Sequence, residues 1–146
     1  MRLFDDPRPL VGAPDPLRSP EILTVPLVRA VRVVLAAALL CVAWQSLIPA
    51  DDLLVTPSSD KAAHVGAYVV LGALAALSVS RRRGVAAWLG VVAFGLLLEI
   101  AQALSGYRSF EWLDLVADAV GAGLGVVVGV GALTLLKGLR SRASAG

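Results

Sequence analysis

Cysteine and histidine are almost missing from this chain: Cys41 and His64 are the sole examples among 146 residues. A single cysteine excludes an intrachain disulfide framework and any cysteine-based zinc site. Charge is scarce too. Asp, Glu, Lys and Arg make up 16% of residues, where soluble domains carry about 25%, and 58% are hydrophobic. With a mean hydropathy of +0.80, the composition excludes a water-soluble globule and leaves a membrane protein. The length suits one domain, and apolar helices of about 20 residues, enough to cross about 30 Å of hydrocarbon, fit into it about four times. A transporter made of repeated halves does not fit in one copy. No glycine-rich loop follows a strand, so no nucleotide site is read. Neither a cofactor nor a nucleic-acid partner is expected.

Six of the eight prolines fall within residues 1–26. Proline lacks the N–H that regular structure needs, so this stretch reads as a disordered, Pro-rich cytoplasmic tail. It is too long and too acidic for the leading region of a signal peptide. Ile48-Pro49-Ala50 makes a poor cleavage site, and no cleavage is expected. Four apolar runs follow. The first goes from Leu27 to Ile48 and stops at Pro49-Ala50-Asp51-Asp52. The second, Asp60 to Ser80, is closed by Arg81-Arg82-Arg83; the third runs from Val85 to Leu104; the fourth runs from Trp112 to Leu136, before Lys137, Arg140 and Arg142. Each has the length of a span whose backbone hydrogen bonds close internally. The expected division is a tail over 1–26, a four-helix transmembrane domain over 27–137, and a basic cytoplasmic tail over 138–146.

An even number of crossings puts both ends on one side. That side collects eleven of the thirteen Lys and Arg residues, leaving Lys61 and Arg108 opposite. Basic residues are retained in the cytoplasm, so both termini are expected there, in an all-α membrane bundle. Tyr107, Phe110 and Trp112 flank the outer end of the fourth span, and Trp44 that of the first, as an interfacial aromatic belt would.

The polar residues within the last three spans all lie near the outward end. In the second span Lys61, His64 and Tyr68 share a face, and Asp60, His64 and Tyr68 are spaced four apart. In the third, Glu99 and Gln102 project together. In the fourth, Asp114 and Asp118 lie on one stripe. At 1.5 Å per residue, Glu99 and Asp118 each sit about 7 Å below the outer ends of their spans. A carboxylate inside a span costs on the order of 2.5–3.5 kcal/mol, so such groups face the bundle interior and pair. Lys61, Arg108 and a protonated His64 are the available counter-charges. The expected site is an outward-opening polar pocket of Asp60, Lys61, His64, Tyr68, Glu99, Gln102, Arg108, Asp114 and Asp118. Glu99, His64 and Asp118 are its candidates for chemistry.

Plainer explanations exist for several of these. Asp60, after Ser58-Ser59, and Asp114 are first-turn acids of the kind a helix dipole stabilises. His64 suits an interhelical hydrogen bond, and Arg108 and Glu111 suit a solvated loop. Glu99 and Asp118 lie a turn or more inside apolar helices and lack that way out, which favours function for this pair. Gly121, Gly125 and Gly129, four apart, form a small-residue face that favours close helix packing, within one chain rather than between two. Arg81-Arg82-Arg83 suits anionic headgroups, though topology alone accounts for it.

Asp60-Lys61-Ala-Ala-His64, Tyr68, Leu71-Gly72, Glu99-Ile-Ala-Gln102, Arg108-Ser-Phe110-Glu-Trp112-Leu-Asp114 and Ala117-Asp118-Ala-Val-Gly121, in this order and spacing, resemble the VanZ-like family across all four spans. The chain departs from the family pattern at Asp118, where asparagine is common, and so gains a titratable group. The resemblance implies a small bacterial inner-membrane protein, in a family whose founding member is linked to resistance to the glycopeptide teicoplanin, and it implies no settled reaction.

Four functions compete. The first is binding or handling of an envelope amphiphile, a glycopeptide antibiotic or a lipid-linked wall precursor, among membrane lipids. The second is an intramembrane enzyme acting on a lipid headgroup, with Glu99 as general base, His64 or Lys61 as partner and Arg108 stabilising an anion. A metal version would draw on His64, Glu99 and Asp118, and one histidine makes it the weakest. The third is a proton-coupled lipid carrier, which needs a dimer, for instance through the glycine face. The last is purely structural, with the polar groups fixing helix register. Monomer and homodimer are both left open.

Overall fold

The computed structural model describes residues 25–48, 57–106 and 111–143, and of residues 57–60 the backbone alone. The expected Pro-rich tail therefore lies outside the described residues, apart from its last two positions. Four helices follow one another: α1 (Val25–Leu47), α2 (Pro57–Ser78), α3 (Gly84–Ser105) and α4 (Trp112–Ala143). A single 3-10 turn, Arg81–Arg83, joins α2 to α3. No strand occurs among the described residues, and each helix contains a stretch long and apolar enough to cross a membrane.

Helix ends differ from the sequence reading where proline and arginine matter. Helix α1 begins at Val25 and takes Pro26 into its first turn; α2 begins on Pro57 rather than at Asp60. Proline is harmless there, because first-turn N–H groups have no intrahelical acceptor. At the far end α2 stops at Ser78 instead of Ser80. Helix α3 closes on Gly106, whose φ of 75° is the left-handed cap that glycine adopts without a Cβ penalty. The largest departure is α4, which passes Leu136 and continues to Ala143. Lys137–Ala143 contains no proline, and Arg140 and Arg142 complement the negative end of its dipole. At 1.5 Å per residue its 32 residues span about 48 Å, so it outruns the hydrocarbon, and most of the expected tail over 138–146 is helical.

Helix α2 touches the other three helices, and its most extensive contact is with α4. Both start at the same end of the bundle, so they run parallel, while α1 and α3 run the other way. The α2–α4 contact has a strict four-residue step. A Cβ added to Gly121 would lie 2.6 Å from the carbonyl oxygen of Val65, one on Gly125 would collide with that of Val69, and one on Gly129 would lie 2.8 Å from that of Ala73. Gly72 in turn faces the Ala122 carbonyl. Without a hydrophobic force between helices in lipid, such close backbone approach supplies the packing energy. The small-residue face of α4 is thus occupied within the chain and is not the dimer surface that a carrier would need.

The core is correspondingly lean, built from Tyr68, Leu71, Ala75, Ala87, Val91 and Ala122. Leu35, Ala38, Leu39 and Val42 of α1 pack on it, yet α1 buries no residue completely. What fixes α1 is a hydrogen bond near each end. Arg32 donates from Nε (3.2 Å) and Nη2 (3.1 Å) to the Ser78 carbonyl, and Gln102 Nε2 donates to the Ser46 carbonyl at 2.8 Å. Both acceptors lie in the last turn of a helix, where carbonyls have no partner within the helix. Large apolar side chains such as Val33, Leu40, Leu97, Leu104 and Val127 point outward, the arrangement that lipid, not water, favours.

Candidate functional site

The two ends of the bundle are chemically opposite. Arg29, Arg32, Arg81, Arg82, Arg83, Lys137, Arg140 and Arg142 all lie toward the end where α1 and α3 begin and α2 and α4 finish, and all are exposed. At the other end the remaining described ionisable side chains of α2, α3 and α4 converge.

Three layers descend from that end between α2 and α4. In the outermost, Lys61 Nζ lies 3.1 Å from Asp114 Oδ1 and 3.6 Å from Glu111 Oε2. Lys61 is half exposed, whereas Asp114 is buried. An ammonium in the first turns of α2 opposes that helix's dipole, and the two carboxylates offset it. One turn deeper, His64 Nδ1 lies 3.1 Å from Asp118 Oδ1. Asp118 is 1% exposed, which makes it, with Leu71, the most thoroughly buried large side chain among the described residues. In the third layer the Tyr68 hydroxyl and Asp118 Oδ2 both lie over Gly95. The pairs Lys61–Asp114 and His64–Asp118 follow from parallel helices in one register, with near-helical spacing on both sides.

Helix α3 contributes from the side. Gly95 makes room: a Cβ there would lie 2.7 Å from Asp118 Oδ2 and 2.9 Å from the Tyr68 hydroxyl. One turn outward, Glu99 is 3% exposed and its Oε2 accepts the Glu111 backbone N–H at 3.1 Å. Glu111 immediately precedes α4, and its carbonyl accepts from the N–H groups of Asp114 (3.0 Å) and Leu115 (3.4 Å). Glu99 therefore caps α4 from another helix, with its carboxylate at the positive end of the dipole. It is close enough to Asp114, Asp118 and His64 to interact with them electrostatically.

Of the nine residues expected to line one pocket, six meet at this end: Lys61, His64, Tyr68, Glu99, Asp114 and Asp118. Gln102 is buried nearby but directs its amide to α1. Asp60 sits in the first turn of α2, and its side chain lies outside the described residues, as does Arg108 entirely. The described side chains meet largely as pairs. Sequence reasoning passed over Gly95 and Trp88; the latter donates from Nε1 to the Ala119 carbonyl at 2.9 Å, tying α3 to α4 beside the site. A glycine one turn from Glu99, on its face, was the available signal for the first.

A model of the VanZ/LLP1 family matches residues 22–134, which includes every described residue of this cluster. No curated protein and no solved structure matches the chain.

Proposed function

The chain belongs to the VanZ/LLP1 family, a multi-pass membrane protein on its four spanning helices, and from that premise we propose that its polar end binds or handles the headgroup of a cell-envelope amphiphile. In this reading the basic end faces the cytoplasm with both termini, in a bacterial inner membrane. The polar end then lies at the outer surface, where a glycopeptide antibiotic or a lipid-linked wall precursor is within reach, and glycopeptide resistance is a consequence to be tested. One observation carries the reading. Three helices deliver ionisable side chains to one depth, with the half-exposed Lys61 leading to the buried Asp114, Asp118 and Glu99, although intramembrane charges are costly. Close packing alone does not call for them, since the carbonyl–glycine contacts already bring α2 and α4 together.

The experiment is an unbiased lipid and metabolite analysis of what co-purifies with the wild type, with Glu99→Gln and with Asp114→Asn. A species enriched with the wild type and lost in both folded variants supports the reading. Identical profiles overturn it.

The His64–Asp118 contact favours a second reading, acid–base chemistry on the bound headgroup. It shifts the base from Glu99, which is engaged in capping α4, and predicts a chemically altered lipid that disappears in His64→Ala.

A further inference from the structure

The basic end of the bundle is stepped rather than flush. Gly84 opens α3, and a Cβ placed on it would lie 3.5 Å from side-chain carbons of Val126 and of Val130 on α4. The Arg81–Arg83 turn precedes Gly84 and leads outward from it, so it comes level with the part of α4 that follows Val130. There the packed bundle ends. Leu133 is the last buried residue of α4, and all of Thr134 to Ala143 is exposed. At 1.5 Å per residue this overhang is about 15 Å long, and Lys137 lies about 6 Å along it. Lys137 comes seven residues after Val130, which returns it to within about 20° of the same face. It therefore looks back over the Arg81–Arg83 turn, and exposed cations from both elements line the inner corner of the step. Arg142, about 140° round the helix from Lys137, points off it.

Depth and charge single out one partner for this corner. The headgroup layer on each side of the hydrocarbon is about 5–8 Å deep, and with Leu133 at the hydrocarbon edge Lys137 lies within it. Leu135, Leu136 and Leu139 are exposed in another sector of the overhang and hold it at the membrane surface rather than in water. The charge has no counterpart nearby, because the described carboxylate side chains, Glu99, Glu111, Asp114 and Asp118, all belong to the opposite end. Topology asks only that cations flank the spans; it is indifferent to their gathering round one corner. Independently of what the polar end binds, we propose that the corner between the Arg81–Arg83 turn and Lys137 seats the phosphate of an anionic phospholipid of the surrounding leaflet.

The test is a lipid titration of the full-length protein in detergent, followed by native mass spectrometry, with phosphatidylglycerol or phosphatidylcholine as the added lipid. A cation near an anionic headgroup is worth about fivefold in affinity. Phosphatidylglycerol should therefore bind more than about tenfold more tightly than phosphatidylcholine, Lys137→Gln should weaken it about fivefold, and Lys137→Glu about 25-fold. Arg142→Gln, on the same exposed overhang but off the corner, should cost less than about twofold. None of these positions packs in the core and glutamine and glutamate are good helix formers, so the variants keep the fold; unchanged helix content by circular dichroism checks this. Equal binding of the two lipids overturns the proposal. An Arg142→Gln loss as large as that of Lys137→Gln means diffuse attraction and overturns the seat. Displacement of phosphatidylglycerol by millimolar inorganic phosphate assigns the corner to a free anion and overturns the lipid.

Discussion

Replacing Gly121 with alanine tests how tightly the packing of α2 on α4 is coupled to the polar cluster. The added Cβ would lie 2.6 Å from the Val65 carbonyl oxygen and 3.1 Å from Val65 Cα, both backbone atoms that cannot rotate away. A comfortable carbon–oxygen contact is about 3.3 Å, so the helices must part by about 0.7 Å at this level. Asp118 lies one turn away on α4, and His64 adjoins Val65. Carried over that turn, the opening stretches the 3.1 Å His64–Asp118 contact to about 3.8 Å, beyond hydrogen-bond length. Overpacking of this kind costs about 1–3 kcal/mol, and loss of the buried contact adds about 1–3 kcal/mol. Reversible unfolding in mixed micelles measures the sum, with Gly131→Ala as the control because nothing lies within 4 Å of its added Cβ. Gly121→Ala should lower stability by about 2–6 kcal/mol and disturb the His64 ring resonances, while Gly131→Ala does neither. Equal stability of the two variants would refute the close approach and the coupling built on it.

Three further expectations follow from the contacts. Glu99→Leu removes the acceptor of the Glu111 N–H and should cost about 1–3 kcal/mol, with hydrogen exchange rising in the first turn of α4; Glu99→Gln, which keeps an acceptor, should stay near the wild type. Gly95→Ala drives a methyl between Asp118 Oδ2 and Tyr68 and should destabilise more than Gly90→Ala, where the added Cβ meets nothing within 4 Å; equal melting temperatures would count against the close fit over Gly95. Arg32→Lys keeps the charge but loses the two-nitrogen grip on the Ser78 carbonyl. Faster proteolysis or cross-linking changes confined to α1 should result, since α1 has no fully buried residue to hold it.

Much of the site was legible because membrane insertion filters polar residues so severely. An ionisable side chain that survives inside a span has a partner, and helical spacing says which face it occupies. Lys61 with Asp114 and His64 with Asp118 follow from that reasoning once α2 and α4 are adjacent. What spacing cannot give is who donates to whom. Glu99 faces the cluster but caps α4, and Gln102 holds the end of α1, because the orphan N–H and carbonyl groups of neighbouring helix ends come within reach only after the helices assemble.

By itself the order of residues determined four membrane-length helices, the basic and the polar end, and the small-residue stripe on α4. These are one-dimensional properties: hydrophobic run length, charge placement and a four-residue period. The tertiary structure decided that the stripe lies against α2 of the same chain, that α2 and α4 run in parallel register, and that Gly95 opens room for Asp118 and Tyr68. Helices in lipid are sorted by close fit between backbones, and that fit depends on atoms from elements distant in the chain, which no local pattern records.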